Sequence, residues 1–388
     1  MGKFALYVHF PFCHKKCLYC DFYSITDLSL QKLYIKSLCR EIDSVADYLQ
    51  EKQITSVYFG GGTPSSFLPK DLGKVLELIF KRFSVQKNAE ITCETNPATV
   101  KQFDELRGLD FNRLTIGVQS LIDTELRLLG RIHDARQAIS AIENARKVGF
   151  TNLAIDLIYA IPNQTINSLR ESLDLMVKIA PQHISFYGLT VESGTPLAAM
   201  VNRGTVKVVD DEIQREMALL GMQTLTKNGF QHYEISNYAQ KGFFAIHNQV
   251  YWSGKPYLGL GASAHSFDGN KRWSNFSDVE KYCHFLERGK AVSQQVEVLN
   301  REEKMLEFIM LGLRQSRGLD LHRWQTDFST EFDDFFAPIL KNLGVGDSPP
   351  FMPGEYNNLL TRKDERLSLT REGVLLYDSI CQELAALV

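Results

Sequence analysis

The chain has 388 residues, of which 44% are hydrophobic, 11% aromatic and 23% charged. These fractions lie near globular averages and exclude a disordered, collagen-like or wholly coiled-coil chain. The 43 basic and 46 acidic residues give a formal net charge of −3, so overall charge offers no argument for nucleic-acid binding. The apolar runs are far shorter than the roughly 18 residues that span a bilayer. Because the N-terminus does not resemble a signal peptide, we expect a soluble, cytoplasmic protein.

Strand-like and helix-like segments alternate along the first half of the chain. Runs rich in Val, Ile, Tyr and Phe predict six strands. These strands are residues 4–10, 56–59, 90–95, 113–118, 153–159 and 183–189. Between them, apolar residues recur at spacings of three and four, which predicts amphipathic helices. Six strand–helix units in succession imply an α/β fold with a parallel sheet covered by helices.

The positions of the unusual residues favour a barrel over an open doubly wound sheet. Cys13, residues 60–64, residues 94–97, residues 119–120 and Asp156 all lie within or just beyond the C-terminal end of a predicted strand. In (β/α) barrels that edge carries the chemistry, whereas the opposite edge carries stability. We therefore predict a partial (β/α)6 barrel of the TIM type.

The pattern changes after about residue 205. A helical segment at 210–228 is followed by an aromatic and glycine-rich stretch, and helical spacing returns from about residue 301. A Gly/Pro-rich connection at 344–353 precedes a terminal helix. The predicted parts are a barrel at residues 1–205, a barrel-flanking segment at 206–300 and a small α-rich C-terminal domain at 301–388.

Three of the seven cysteines, Cys13, Cys17 and Cys20, lie close together on the loop after the first predicted strand. Thiolates at this spacing suit zinc or an iron–sulfur cluster. Structural zinc sites usually take two separated ligand pairs. Here the sequence offers no second pair, and only His14 is available as a fourth ligand. A [4Fe–4S] cluster held by three cysteines leaves one iron open to a substrate or cofactor. We favour the cluster; the alternative is a zinc-stabilised binding protein without redox chemistry.

The segment from Tyr7 to Phe22 resembles the cluster loop of radical S-adenosylmethionine (SAM) proteins. Its flanking residues are similar to those of the branch that contains oxygen-independent coproporphyrinogen III oxidase and related haem chaperones. The resemblance extends through at least Phe267. It implies a partial barrel of the radical SAM kind, a [4Fe–4S] cluster on the three cysteines, and SAM bound to the open iron through its amino and carboxylate groups.

The resemblance also implies which residues contact SAM. Gly61, Gly62 and Thr63 match the loop that grips the methionine amino group, where glycine lets the backbone approach a ligand closely. A phosphate-binding Walker loop would end in Lys-Ser/Thr, which is absent here. Arg131 matches a position that could face the SAM carboxylate in a bidentate manner. The other implied contacts are Tyr7, Phe22, Glu94, Gln119, Ser120 and Asp156.

Two departures separate the chain from the oxidase. Phe22 stands where the oxidase has a further cysteine, and only 12 residues precede Cys13, whereas the oxidase has a long N-terminal arm that helps close its active site. A radical enzyme must exclude water from its reaction site. Both departures weaken the interpretation as a decarboxylating enzyme, and whether the chain is an enzyme stays open.

The segment from His247 to Trp252 matches the motif His-Asn-x-x-Tyr-Trp, which is associated with haem binding in this branch. Imidazole is a common axial ligand of haem iron, and aromatic faces pack on porphyrins. We therefore consider His247 a haem ligand, with His265 second and the Cys283-His284 pair third. The alternative is that the His-Asn pair satisfies backbone groups at the barrel rim and Trp252 fills the core.

The hypothesis that follows is a haem chaperone. It would bind haem and, with its cluster and SAM, transfer the haem to a membrane-associated acceptor such as a respiratory haem protein. It would neither bind nucleic acid nor span a membrane. The alternative is oxygen-independent coproporphyrinogen III oxidase, which decarboxylates porphyrinogen propionates.

Overall fold

The computed structural model describes residues 2–50, 52–100, 102–347, 350–351 and 358–388. Twelve strands of the described residues form one large sheet. They are Gly2–Phe10 (β1), Lys52–Gly61 (β2), Ser84–Thr95 (β3), Arg113–Gln119 (β4), Leu153–Tyr159 (β5), His183–Gly188 (β6), Gln231–Glu234 (β7), Asn237–Ala239 (β8), Tyr257–Leu260 (β9), His265–Phe267 (β10), Lys271–Asn275 (β11) and Ser293–Val298 (β12).

Helices connect these strands and form most of the C-terminal region. The helices before residue 300 are Gln31–Ser44 (α1), Pro69–Arg82 (α2), Phe103–Gly108 (α3), Asp123–Leu128 (α4), Ala135–Lys147 (α5), Ile166–Ile179 (α6), Pro196–Asn202 (α7), Asp211–Lys227 (α8), Ile246–Trp252 (α9) and Val279–Glu287 (α10). Those after it are Arg301–Leu313 (α11), Leu321–Phe328 (α12), Phe332–Leu343 (α13), Arg371–Leu375 (α14) and Tyr377–Ala385 (α15).

The predicted partial (β/α)6 barrel is confirmed. Strands β1 to β6 lie side by side in chain order, and each pairs in parallel with the next. The barrel does not close, because β1 pairs on its outer side with β9, and β6 pairs with the antiparallel β8. All six predicted strands exist; β2 and β3 are longer than predicted because each begins several residues earlier.

The ends of α5 show how local sequence sets these elements. Asp134 accepts a hydrogen bond from the backbone N–H of Gln137, and the Gln137 side chain accepts from the Asp134 N–H, which forms a capping box. After the helix the chain reverses at Gly149, whose φ of +97° suits glycine. Asp134 and Gly149 thus set the start and the end of this helix.

The two faces of the barrel strands differ in polarity. Side chains alternate between the faces of a strand, so residues in register form ladders across the sheet. One ladder on the outer face consists of Val8, Phe59, Cys93 and Leu114, all fully buried. The neighbouring inner ladder consists of Tyr7, Tyr58, Thr92 and Arg113. The outer face therefore packs under helices, while the inner face carries polar groups.

Helix α9 packs against this inner face. The Glu90 carboxylate accepts hydrogen bonds from the backbone N–H groups of Ile246 and His247, each at 3.0 Å. Arg113 is also buried here, with Nε 3.8 Å from the same carboxylate. A carboxylate at a helix N-terminus satisfies N–H groups that have no partner within the helix. Glu90 thus fixes where α9 enters the barrel.

The C-terminal region is rich in helices, as predicted, but it also contains a four-stranded sheet that the sequence did not indicate. Its strands are Leu319–Asp320 (β13), Val345–Gly346 (β14), Leu360–Lys363 (β15) and Arg366–Leu369 (β16), in the order β13-β16-β15-β14. Within the predicted Gly/Pro-rich connection, residues 348–349 and 352–353 lie outside the described residues. No helix in the described part of the chain is long and apolar enough to cross a membrane.

Glu41 of α1 offers a test of how the flanking strands are attached. Its buried carboxylate accepts hydrogen bonds from the Gly261 N–H at 2.7 Å, the Asn275 amide at 2.6 Å and the Tyr282 hydroxyl at 2.5 Å. Glu41→Ala leaves these buried donors unpartnered, so we expect the free energy of unfolding to fall by about 3 kcal/mol. Urea denaturation measures the change. Exposed Glu77 of α2 is the control, and an equal effect of Glu77→Ala would contradict the assignment.

Candidate active site

One cavity at the C-terminal ends of the barrel strands brings together most of the predicted site residues. It is lined by Cys13, Cys17, Cys20, Phe22, Gly61, Gly62, Thr63, Glu94, Gln119, Arg131 and Asp156. These residues come from loops or strand ends at β1, β2, β3, β4 and β5, together with the loop between α4 and α5. Tyr7, Ser120 and His247 are predicted site residues that do not line it.

Backbone hydrogen bonds hold the cysteine loop over the barrel. The Cys13 N–H donates to the Ile25 carbonyl at 2.9 Å, which closes the loop on itself. Leu18 donates to the Leu129 carbonyl at 3.1 Å and accepts from the Leu197 N–H at 2.9 Å. The loop that follows β1 is thus tied to segments near β5 and β6, and the cysteines are fixed at the mouth of the cavity.

The cysteines suit a cluster better than a single metal ion. Among the described residues, no three His, Cys, Asp or Glu side chains converge on one point as a tetrahedral zinc site requires. A cluster binds its thiolates through different irons, so the sulfurs need not converge. Burial raises the pKa of Cys20 to about 11 and also raises that of Cys13. Ligation must displace these thiol protons.

The glycine loop braces the cysteine loop. Gly62 donates its N–H to the Phe10 carbonyl at 3.0 Å, and Thr63 donates to the Phe12 carbonyl at 2.8 Å. A Cβ atom on Gly62 would lie 2.8 Å from backbone atoms of both phenylalanines. The Thr63 hydroxyl lies 3.5 Å from the Cys13 sulfur. Glycine at position 62 therefore allows two backbone segments to pack closely, in addition to any contact with a ligand.

Two carboxylates lie in the cavity and have raised pKa values. Burial raises the pKa of Glu94 to about 7 and that of Asp156 to about 6. Glu94 accepts hydrogen bonds from the Tyr58 hydroxyl at 2.7 Å and the Gly61 N–H at 3.1 Å. These bonds favour the charged form but do not outweigh burial. A cation bound beside these groups would restore their ionised state, as the amino and sulfonium groups of SAM would.

Arg131 supplies a buried positive charge at the same cavity. Its guanidinium donates to the Gly117 carbonyl at 2.6 Å and to the Cys17 sulfur at 3.4 Å. Its Nε is buried and has no partner among the described residues. A buried unpaired donor is costly, and the carboxylate of an amino-acid-like ligand would satisfy it. The residues at this cavity therefore fit a zwitterionic, cationic ligand such as SAM.

Tyr7 and His247 lie deeper inside the barrel. The Tyr7 hydroxyl lies 2.8 Å from His9 Nδ1. His247 is 1% exposed; its Nδ1 lies 3.0 Å from the Ser56 hydroxyl and its Nε2 2.7 Å from the Tyr251 hydroxyl. Burial lowers the pKa of His247 to about 3. Because both ring nitrogens are engaged, His247 offers no open site to iron in this structure.

The remaining haem candidates differ from His247 in position. His265 is exposed on β10, and Cys283 is buried in α10 beside His284. None of these three residues lines the cavity of the cluster cysteines.

Ser120 donates its hydroxyl to Glu125 at 2.5 Å, a structural contact at the end of β4.

Sequence reasoning missed two tyrosines that line the cavity, Tyr19 and Tyr187. Tyr19 lies between two cluster cysteines, and the Tyr187 hydroxyl donates to Gln119 Oε1 at 3.1 Å. The signal for Tyr187 was the alternation of polar and apolar residues along β6, which places it on the inner face. Tyr19 was visible only as an aromatic residue inside the cysteine loop.

A six-stranded partial barrel, with three cysteines at the mouth of a cavity whose polar residues fit SAM, is the arrangement of a radical SAM protein. The radical SAM superfamily model matches residues 7–176, and the HemN C-terminal domain model matches residues 299–376. Heme chaperone HemW of Synechocystis is 36% identical, over 98% of this chain and 96% of its own length. HemW of Bacillus subtilis is 29% identical over 97% of both chains.

One further relative and one solved structure are also similar to this chain. The Danio rerio protein "Radical S-adenosyl methionine domain-containing protein 1, mitochondrial" is 32% identical over 97% of this chain and 85% of its own length. The structure of coproporphyrinogen III oxidase (HemN) from Escherichia coli superposes with a TM-score of 0.82. It covers 100% of this chain and 91% of its own at 23% identity, which shows a shared fold. The chain belongs to the HemW family of radical SAM proteins.

Gly62→Ala tests the close packing of the glycine loop. The added methyl group meets backbone rather than a flexible side chain, so we expect a loss of about 1–3 kcal/mol in stability. Iron content after anaerobic reconstitution should fall as well, because the cysteine loop shifts. Gly108→Ala is the control, since its Cβ would meet nothing within 4 Å. Unchanged stability and iron content in Gly62→Ala would show that the loop tolerates a side chain.

The raised pKa of Glu94 predicts how SAM binding depends on pH. With a pKa of about 7, its ionised fraction rises about tenfold between pH 6 and pH 8. A cationic ligand prefers the ionised form, so we expect SAM affinity in the reconstituted protein to rise over this range. In Glu94→Gln the remaining rise should be the part due to Asp156, complete by about pH 7. Equilibrium dialysis measures both, and identical pH profiles would rule out Glu94 as the titrating group.

The raised pKa of Glu94 also affects the stability of the fold, which falls as pH rises, whereas SAM affinity rises. The folded pKa of Glu94 lies above its usual value of 4.5, so its ionisation costs stability as pH rises from about 4.5 to 7. Above that range the cost is constant. In the absence of SAM, Glu94→Gln should therefore gain stability relative to the wild type as pH rises through this window.

Proposed function

We propose that the protein is a haem chaperone that binds haem and, with a [4Fe–4S] cluster and SAM, transfers it to an acceptor haem protein. The observation that carries the proposal is the full-length similarity to HemW chaperones combined with an intact cysteine cavity. The names of the relatives support the haem part of the proposal, and the residues of the cavity support the cluster and SAM part. We place the protein in the cytoplasm, where its free cysteines stay reduced.

The residues of the cavity have separate tasks in this proposal. Cys13, Cys17 and Cys20 would hold the cluster, which supplies an electron to SAM when both are bound. Arg131 would hold the SAM carboxylate, and Glu94 would hold its cationic groups. Tyr58 and Gly61 hold Glu94, and the Gly117 carbonyl holds Arg131. The ligand therefore binds to a site that is already formed.

The oxidase alternative receives less support. The similarity to HemN is a similarity of fold, and this branch shares its fold between different activities. At the mouth of the cavity Phe22 is 67% exposed, and it stands where the resemblance places a further cysteine in the oxidase. The acceptor in the chaperone proposal is a membrane-associated haem protein, such as one of a respiratory chain.

Haem transfer by the anaerobically reconstituted protein tests the proposal. We expect haem to bind, to produce a Soret band, and to pass to an apo-haem protein faster than free haem does. Cys17→Ala should lose the dithionite-bleachable cluster absorption and transfer haem poorly, while it still binds haem. Cys39→Ala is the control, because Cys39 is a half-buried cysteine of α1 away from the cavity.

Three results would count against the proposal. Wild-type protein that binds no haem would remove its basis. Equal transfer by Cys17→Ala and the wild type would exclude the cluster from transfer. SAM-dependent decarboxylation of coproporphyrinogen III would identify the oxidase instead.

A further inference from the structure

A second cavity of about 680 Å³ lies apart from the cysteine site. It is bounded by the end of α9, by β10 and by helices α11 and α12 of the C-terminal region. Its volume is within the range of roughly 300–1,000 Å³ that is typical of small-molecule sites. None of the predicted site residues except Trp252, the last residue of the His-Asn-x-x-Tyr-Trp motif, lines it.

One part of its lining is apolar and includes four aromatic side chains. These are Trp252, Phe267, Phe308 and Phe328. Trp252 is held in place, because the guanidinium of Arg314 lies 4.3 Å from its ring centroid and Gln315 donates to its carbonyl at 2.6 Å. A fixed aromatic ring suits a flat, apolar ligand body.

The acidic groups in the lining are already neutralised. Each of the three carboxylates forms an ion pair with an arginine. The pairs are Arg366–Asp320 at 2.7 Å, Arg323–Asp327 at 3.0 Å and Arg272–Glu307 at 2.9 Å. These acids therefore offer little charge to a cationic ligand.

Three other cations of the lining form no ion pair of this kind within the described residues. Lys255 and Arg317 are exposed and form no ion pair within the described residues, and Lys304 donates to the neutral Asn270 at 2.6 Å. Partial desolvation, followed by the nearby Arg366 and Arg323, lowers the pKa of Arg317. The cavity is thus locally positive in a chain of net charge −3, which favours a ligand with negative groups.

The lining contains no His, Cys, Met or Tyr among the residues described. These side chains are the usual protein ligands of haem iron. A metalloporphyrin in this cavity would therefore be held by its ring and its carboxylates, and its metal would contribute little to affinity.

We propose that the second cavity is the porphyrin site of this protein, with the ring against Trp252 and the propionates at Lys255 and Arg317. The proposal rests on the proposed haem function and specifies where and how the haem binds. It assigns recognition to the flat dianionic macrocycle instead of to an iron–histidine bond.

Titrations with haem and with iron-free protoporphyrin IX test this site, using absorption and tryptophan fluorescence on the full chain. We expect affinities for the two porphyrins within about threefold of each other. The Lys255→Glu/Arg317→Glu double variant should bind both at least tenfold more weakly. The control is Lys70→Glu/Arg170→Glu, which exchanges one exposed lysine and one exposed arginine elsewhere and changes the net charge equally. It should bind as the wild type does.

Each other outcome has a definite meaning. Normal porphyrin binding by Lys255→Glu/Arg317→Glu, or equal weakening in the control, would overturn the site while leaving the haem function intact. Binding of haem without binding of the iron-free porphyrin would show that an iron ligand decides affinity, and would also overturn it. Absence of haem binding in the wild type would remove the proposed function itself.

Discussion

The polar inner face of the partial barrel is the constraint on which the rest of the structure depends. Arg113 and Glu90 are buried there, and a buried polar group without partners costs about 1–3 kcal/mol. Helix α9 supplies partners for two polar groups of this face: its first N–H groups bind Glu90, and His247 lies 3.0 Å from the Ser56 hydroxyl. The flanking segment is therefore part of the barrel interior.

This placement makes α9 a physical connection between the two sites. Glu94 of the cysteine cavity is bonded to Tyr58, and the Tyr58 ring stacks on His247 with centroids 4.9 Å apart. Seven residues of helix span about 10 Å, and at the far end Trp252 forms a wall of the second cavity. Glu94 and the proposed porphyrin site are thus joined by a continuous series of contacts through Tyr58, His247 and this short helix.

The sequence predicted the strands, the barrel and the cysteine cavity because each signal is local. Strand composition, the capping residue Asp134 and the cysteine spacing can be read within a few residues. The position of α9 could not be predicted, since its partners Glu90 and Ser56 are more than 150 positions away. The inner polar ladder was readable as alternation along β1 to β6, but periodicity does not say which segment fills the space beside it. The small C-terminal sheet was missed because its strands have only two to four residues.

Both ring nitrogens of His247 already have hydrogen-bond partners, and this bears on how a chaperone can hold haem and still release it. An iron–imidazole bond at this residue would require breaking the contact with Ser56 at Nδ1 or the contact with Tyr251 at Nε2, inside a packed barrel. A site formed by an aromatic wall and surface cations has no such requirement, and its ligand dissociates when stacking and charge contacts are exchanged for those of an acceptor. Affinity of that kind comes from several weak contacts, each of which can be replaced in turn. In the proposed site, His247 would position α9, and Trp252 would contact the ligand.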